Sequence, residues 1–219
     1  MPNQNKGKQE LKLIILPKPD KKGGRTLLET LQLRQTNRSI SSKELPLQIL
    51  SNLLWVACGV NRDKASFNKP GRTAPSASNS QEIDLYVVLK EGVYLYEVMH
   101  KLKPVLLGDY RKLCGRGVQV QVIGSAPLNI IYIADLSRYD LGPNQPDPHI
   151  GDTEIQKSYY YTDTGFIAQN IYVYAASEGL AVWFHNCDKA SIAKELKLHP
   201  YQIILFAQTI GYPEPKSIS

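Results

Sequence analysis

The sequence predicts an α+β fold, and three observations carry that prediction. Residues 83–89 (Ile-Asp-Leu-Tyr-Val-Val-Leu) read as a strand, with Glu91-Gly92 as a turn into a hairpin partner at 93–96. Residues 128–134 are almost continuously apolar, the pattern of a strand covered on both faces. Residues 152–178 then form one long helical stretch, about 40 Å at ~1.5 Å per residue, closed by Gly179 in the position of a left-handed cap. Thr153 with Gln156 resembles a capping box at its start. From Gly165 to Ala176 the helix is apolar or small nearly all the way round, as a central core helix would be.

The 219 residues suit one sizeable domain, and 42% hydrophobic with 21% charged residues is ordinary for a globular chain. The formal charge of +6 invites a nucleic-acid reading. Its location argues otherwise. Residues 1–25 hold seven basic against two acidic side chains, so the other residues are close to neutral, with no basic stripe interleaved with aromatics. Residues 1–25 are therefore read as a basic N-terminal arm and 26–219 as the domain, with no nucleic-acid partner. Cys58, Cys114 and Cys187 lie far apart and show no metal-ligand spacing with His100, His149, His185 or His199, so no metal site is expected. No apolar run could span a bilayer and no signal peptide is visible, which predicts a cytoplasmic protein without a membrane partner. A leader removed before residue 1 would leave an exported form open.

Within the arm, residues 11–16 read as a short segment packing on the body or on a partner, and Gly23-Gly24 ends it. Thr26 reads as an N-cap completed by Glu29, with Leu27, Leu28, Leu31 and Gln32 on one side of a helix that ends near Arg34. Arg34-Gln35-Thr36-Asn37-Arg38-Ser39 follows. Two forked guanidinium groups with hydroxyls between them suit an oxyanion such as phosphate, although a solvated turn has the same composition. Pro46 opens a second helix, apolar on more than one face, and Gly59 closes it. Residues 60–81 form a loop long enough to suggest function. At its end, residues 72–81 (Arg-Thr-Ala-Pro-Ser-Ala-Ser-Asn-Ser-Gln) combine small side chains with Asn and Gln behind one proline. Such a loop lets backbone N–H groups approach a flat polar ligand. Short helical pieces are expected near 109–113 and 118–120, a surface loop at 137–150, a strand at 180–184, a helix capped by Asp188 through Leu196, and a last strand at 201–210.

Taken in order, the Arg-x-Thr-x-Arg segment, the Pro-Ser-x-x-Asn-x-Gln loop, the long helix ending in Glu-Gly-Leu and the Gly-Tyr-Pro terminus with its basic residue resemble the FMN-dependent nitroreductase superfamily over residues 26–216. Residues 53–62 look most like the branch that includes heterocycle-forming dehydrogenases. The resemblance implies a mainly antiparallel sheet flanked by helices, a homodimer, and FMN clasped at the subunit interface. It implies that Arg34, Gln35, Thr36 and Arg38 lie in the segment holding the FMN phosphate and ribityl chain, with Lys216 as a second cation. It implies that Pro75, Ser76, Ala77 and Asn79 reach the flavin of the other subunit, and that Phe184, His185 and Asn186 lie where backbone N–H groups approach flavin N5. Gln35 departs from a common second arginine, Glu82 from a common proline, and residues 183–186 from a glycine-rich stretch.

The activity so implied is an oxidoreductase in which reduced nicotinamide, NADH or NADPH, delivers hydride to flavin N5 and a small acceptor such as a nitroaromatic or quinone then takes the electrons. The flavin would carry the chemistry, which accounts for the lack of a nucleophile–base pair. A flavin-binding storage or regulatory protein and a dehydrogenase of a peptide-derived heterocycle are the alternatives. His185 as proton donor, Tyr159 to Tyr161 as a stacking surface and the cysteines as redox thiols all read more simply as packing.

Overall fold

The computed structural model describes residues 10–140 and 150–215. Lys216, His149 and most of the expected 137–150 loop therefore lie outside the described residues. In chain order the elements are β1 (Ile14–Ile15), α1 (Leu27–Leu33), α2 (Leu47–Cys58), β2 (Val60–Arg62), β3 (Gly71–Arg72), β4 (Ile83–Val88), β5 (Gly92–Glu97), β6 (Lys101–Leu107), α3 (Val120–Ser125), β7 (Leu128–Asp135), α4 (Thr153–Glu178), β8 (Ala181–His185), α5 (Lys189–Leu196) and β9 (Gln202–Gly211).

Seven strands form one sheet in the order β1-β6-β5-β4-β7-β9-β8, and every pairing in it is antiparallel. This is the α+β, mainly antiparallel architecture expected. The two-fold period of the strands explains why the central ones are largely apolar on both faces: successive side chains enter different cores. From β4 and β7, Leu85, Val87, Ile130 and Tyr132 pack with α2 and α4 residues such as Leu53 and Ile171. Their neighbours Tyr86, Val88, Ile131 and Ile133 pack on the other face with Ile123 and Ile192 from α3 and α5.

Helix ends follow the local chemistry. Thr26 and Glu29 form the capping box expected for α1, and Asp188 caps α5 through the Ser191 N–H. Gly179 ends α4 at φ 69°, where a Cβ would be strained. The start of α4 corrects the sequence reading. Asp152, not Thr153, is its N-cap: Oδ1 accepts from the N–H groups of Glu154 (2.8 Å) and Ile155 (3.3 Å), while Gln156 donates to the Ile150 carbonyl. A carboxylate suits the positive helix end better than a hydroxyl does.

Other departures are tertiary in origin. Ile14–Ile15 joins the sheet edge against β6, and Leu16 beside it is buried in the larger core. Of the α1 residues expected on one side, Leu27, Leu28 and Leu31 are exposed in the single chain, as is Leu33, and Thr30 is the buried residue. Helix α4 is likewise not enclosed all round, since Tyr161, Gly165, Phe166 and Gln169 line an exposed stripe. Among the described residues no helix is long and apolar enough to cross a membrane, and no group of His, Cys, Asp or Glu could hold a metal ion.

Candidate functional site

The chain leaves α1 at Arg34, whose φ and ψ of −59° and 120° turn it extended. The Asn37 N–H then donates to the Val182 carbonyl (2.9 Å), which pins residues 34–38 along the start of β8. Arg34 and Thr36 both meet Tyr172, while Arg38 lies farther along the segment over Trp183. Gln35 and Asn37 help line a cavity of about 340 Å³ toward the end of α4, which Tyr172 also lines.

Tyr172 of α4 ties this segment to the sheet. Its hydroxyl lies 3.0 Å from Thr36 Oγ1 and accepts the Phe184 N–H at 3.0 Å. With one lone pair engaged by Phe184, the phenol proton is free to go to Thr36, which in turn leaves the Thr36 hydroxyl proton for a ligand. The Arg34 guanidinium lies 5.6 Å from the Tyr172 ring and that of Arg38 lies 5.4 Å from the Trp183 ring. Neither arginine has a carboxylate partner among the described residues. A guanidinium and a hydroxyl that share Tyr172, with a second guanidinium four residues on, are donor types that suit a phosphate group, so the residues present are compatible with the phosphate end of FMN. The C-terminal strand runs past the same place: Pro213 bridges Ile40, and the Glu214 N–H donates to the Ser39 carbonyl (3.0 Å).

The loop at 75–81 is built differently. The N–H groups of Asn79 and Ser80 donate back to the Ser76 and Ala77 carbonyls, and the Gln81 N–H donates to Ser76 Oγ. Asn79 donates to the Ser66 carbonyl and accepts from Gln81, so its amide shapes the loop itself. The Ala77 N–H reaches Asp163 of α4 at 2.9 Å. Beside the loop lies a cavity of about 480 Å³ lined by residues including Arg62, Phe67, Pro75, Ser76 and Asn79. Asp163 and Tyr172 are nine residues apart, so the loop and the Arg34–Arg38 segment meet α4 about 14 Å apart along its axis. One chain thus brings Arg34 and Thr36 to the Phe184 backbone through Tyr172, holds Arg38 on Trp183, and keeps Pro75, Ser76, Ala77 and Asn79 apart from the Tyr172 anchor.

His185 is buried and locked into the sheet, with Nε2 2.7 Å from Thr209 Oγ1 and Nδ1 2.9 Å from the Asn186 carbonyl. Burial holds its pKa below the usual imidazole range, against the opposing pull of that carbonyl. Asn186 is exposed, and its Oδ1 accepts from the Cys187 N–H. All three cysteines are free and buried, and burial raises each thiol pKa, to about 11 for Cys187. Two residues of the site escaped the sequence reading: Tyr172, hidden in an apolar helix, and Asp163. The latter had a signal, since it is the sole acid between Glu154 and Glu178.

This geometry can be set beside known proteins. Residues 31–212 match the profile described as the nitroreductase family. A protein of Methanocaldococcus jannaschii named by inference as a nitroreductase is 28% identical over 192 residues, covering 82% of this chain and 88% of its own. Among solved structures, a protein from Ralstonia eutropha, also named by inference as a nitroreductase, is 32% identical with a TM-score of 0.80, covering 93% of this chain and 90% of its own. The NADPH:FMN oxidoreductase of Vibrio harveyi, solved with NAD+, shares the fold at 17% identity and a TM-score of 0.61, covering 86% of this chain and 69% of its own. The profile spans most of the sheet and all five helices save the first turn of α1, and with it the Arg34–Arg38 segment and its Tyr172 anchor; on that extent of agreement, this chain belongs to the nitroreductase family and is a nitroreductase-like oxidoreductase.

Proposed function

We propose that the protein is an FMN-dependent oxidoreductase that takes electrons from NADH or NADPH and passes them to a small acceptor such as a nitroaromatic or quinone. The observation that supports this most is the pairing of Arg34 and Thr36 at Tyr172, which is tied to the Phe184 backbone, with Arg38 held four residues on over Trp183. When bound, FMN supplies the hydride-transfer chemistry. The chain supplies position: the two guanidinium groups and the Thr36 hydroxyl hold the phosphate, and the Tyr172 anchor keeps β8 at a fixed distance from it. Lys216, two residues beyond Glu214, adds a cation on this reading.

The protein works as a homodimer with FMN between subunits. In one chain the 75–79 loop stands about 14 Å along α4 from the phosphate set, so it serves the flavin of a second copy. Leu27, Leu28, Leu31 and Leu33 of α1, with Phe166 of α4, supply apolar surface for that contact. The backbone at the end of β8 and Asn186, rather than the buried His185 ring, would lie toward the flavin, with the Phe184 N–H kept by Tyr172.

Protein purified from riboflavin-replete cells is expected to be yellow, to run as a dimer, and to bleach on addition of NADH or NADPH and recolour with a quinone. A yellow dimer that no nicotinamide bleaches would make it a flavin carrier instead. Colourless protein that takes up no FMN on incubation would sink the reading.

A further inference from the structure

The cavity of about 480 Å³ beside the 75–79 loop has no role so far. Small-ligand pockets span about 300–1,000 Å³, so its size suits one. One wall is the loop itself, with Pro75, Ser76 and Asn79. The other is the β2–β3 hairpin, which brings Arg62 and Phe67. Among the described residues no acid lines it.

Arg62 is seated by its cross-strand neighbour. It pairs with Gly71, and a Cβ at position 71 would lie 2.5 Å from Arg62 Nη2, 2.6 Å from Cζ and 2.7 Å from Nε. Three guanidinium atoms at nearly one distance mean that the flat face of the group rests on the glycine, and only glycine leaves that room. Nη1 donates to Asn61 Oδ1 (3.0 Å), which fixes the rotation of the plane. No carboxylate pairs with Arg62 among the described residues, so its Nε–Nη2 edge stays open to a ligand. Arg72 also lines the cavity, but its guanidinium is committed to Gln81 Oε1 and the Cys58 carbonyl, both at 2.8 Å.

Phe67 is held in a conformation that its side chain disfavours. Its φ is 60° and that of Asn68 is 54°, in the left-handed region that bulky residues avoid. The Ala65 N–H closes this turn on the Lys69 carbonyl (2.9 Å), and Asn79 Nδ2 ties it to the 75–79 loop through the Ser66 carbonyl (3.0 Å). The outcome leaves Phe67 39% exposed at the cavity. Strain kept at a cavity wall points to a ring that the site needs presented.

We propose that Arg62 and Phe67 form an acceptor subsite, so that the protein prefers aromatic acceptors carrying a carboxylate: the ring packs on Phe67 and the carboxylate takes the open edge of Arg62. One open guanidinium suits a carboxylate, which it meets through two parallel hydrogen bonds. A pyrophosphate would call for more free cations than the cavity offers. The electron transfer is that of the FMN reading, on which this inference rests; the hairpin adds the choice of acceptor. Arg62 and Phe67 touch the substrate, and Gly71 is a positioning residue that acts through Arg62.

The test follows oxidation of NADH or NADPH by the holoprotein with para-nitrobenzoate, or its neutral isostere para-nitrobenzamide, as acceptor. In the wild type kcat/KM is expected to favour the carboxylate about tenfold, as one charge-assisted pair at a part-exposed site would give. Arg62→Gln is expected to bring that ratio to about one, through the KM for para-nitrobenzoate. Gly71→Ala keeps the charge but lifts it off its seat, and is expected to lose most of the preference. Phe67→Ala is expected to raise the KM for both acceptors. No wild-type preference, the same preference in Arg62→Gln, or a KM change confined to the nicotinamide overturns the proposal. The nitrogen-15 resonance of Arg62 Nε, titrated with benzoate and with benzamide, gives a reading free of turnover and of flavin. A shift with benzoate alone supports the subsite; equal shifts, or none, overturn it. Should the protein take up no flavin, the functional reading fails, and that titration still decides whether the cavity binds an aromatic carboxylate.

Discussion

Tyr172 shows how one side chain can organise a site while taking no part in its chemistry. Its hydroxyl joins Thr36, 136 positions earlier, to the backbone of Phe184, so Tyr172→Phe breaks two links at once. A part-buried hydrogen bond contributes about 0.5–1.5 kcal/mol, so that variant is expected to bind FMN roughly tenfold more weakly while folding normally, by fluorescence quenching and circular dichroism. Arg34→Ala and Arg38→Ala each remove a charge-assisted donor, and a loss of about ten- to a hundredfold in FMN affinity is expected from either. An unchanged Kd in both arginine variants would remove the phosphate assignment. The spacing of Arg34, Thr36 and Arg38 was legible in the sequence because it is local. Tyr172 was not, since nothing near position 172 tells which distant residues its hydroxyl will meet. Histidine chemistry gives a second expectation. His100 Nε2 lies 2.7 Å from Ser51 Oγ and its Nδ1 2.9 Å from the Tyr96 hydroxyl, while Ser51 donates to the Pro17 carbonyl. Burial lowers the pKa of both His100 and His185, so folding favours their neutral forms. Their contribution is whole above the unfolded value of about 6.5 and is lost as pH falls below it, because the unfolded chain then binds protons that the folded one resists. Melting temperature is therefore expected to drop between pH 7 and 5, and less steeply in His100→Gln.

Elements whose boundaries rest on local chemistry match the sequence reading closely. Thr26 with Glu29, Gly59, Gly179 and Asp188 each end or begin a helix where a cap was expected. The prediction at Gly179 follows from its φ of 69°: Gly179→Ala forces a Cβ into the left-handed region and is expected to cost about 1 kcal/mol, lowering the melting temperature by about 2–4 °C. The space there is open, so the effect is backbone strain and not a clash. Elements held by distant partners were not legible. Ile14–Ile15 is two residues long and is a strand only because β6 accepts it. Strand β6 itself (Lys-Leu-Lys-Pro-Val-Leu-Leu) contains Pro104, which argues against a strand until its place beside the two-residue edge is known. The short β2–β3 hairpin was hidden for a similar reason: it lies inside what reads as one polar loop, and its register is interrupted by a bulge between Val60 and Arg62. That hairpin carries Arg62 to the rim of the cavity beside the 75–79 loop, so part of the candidate site was invisible along with it.

At the scale of the whole molecule, the sequence pattern and the single chain disagree about α1, and the disagreement is informative. Leu27, Leu28, Leu31 and Leu33 are between 46% and 73% exposed, yet a helix of seven residues with four leucines has no reason to face water. Fully burying one leucine is worth about 1.5–3 kcal/mol, enough for a handful of them to decide whether two subunits stay together. The wild type is therefore expected to sediment at twice the 24.6 kDa chain mass at micromolar concentration. Leu28→Glu with Leu31→Glu places two charges on that face without touching the Arg34, Thr36 and Arg38 set. If the 75–79 loop serves the flavin of the partner, the double variant should sediment as a folded monomer and lose most of its FMN affinity in the same step. A monomer that still binds FMN as tightly as the wild type would show that one chain completes the site alone. In that case the distance of about 14 Å between the loop and the phosphate set would have to be spanned by the flavin within a single subunit.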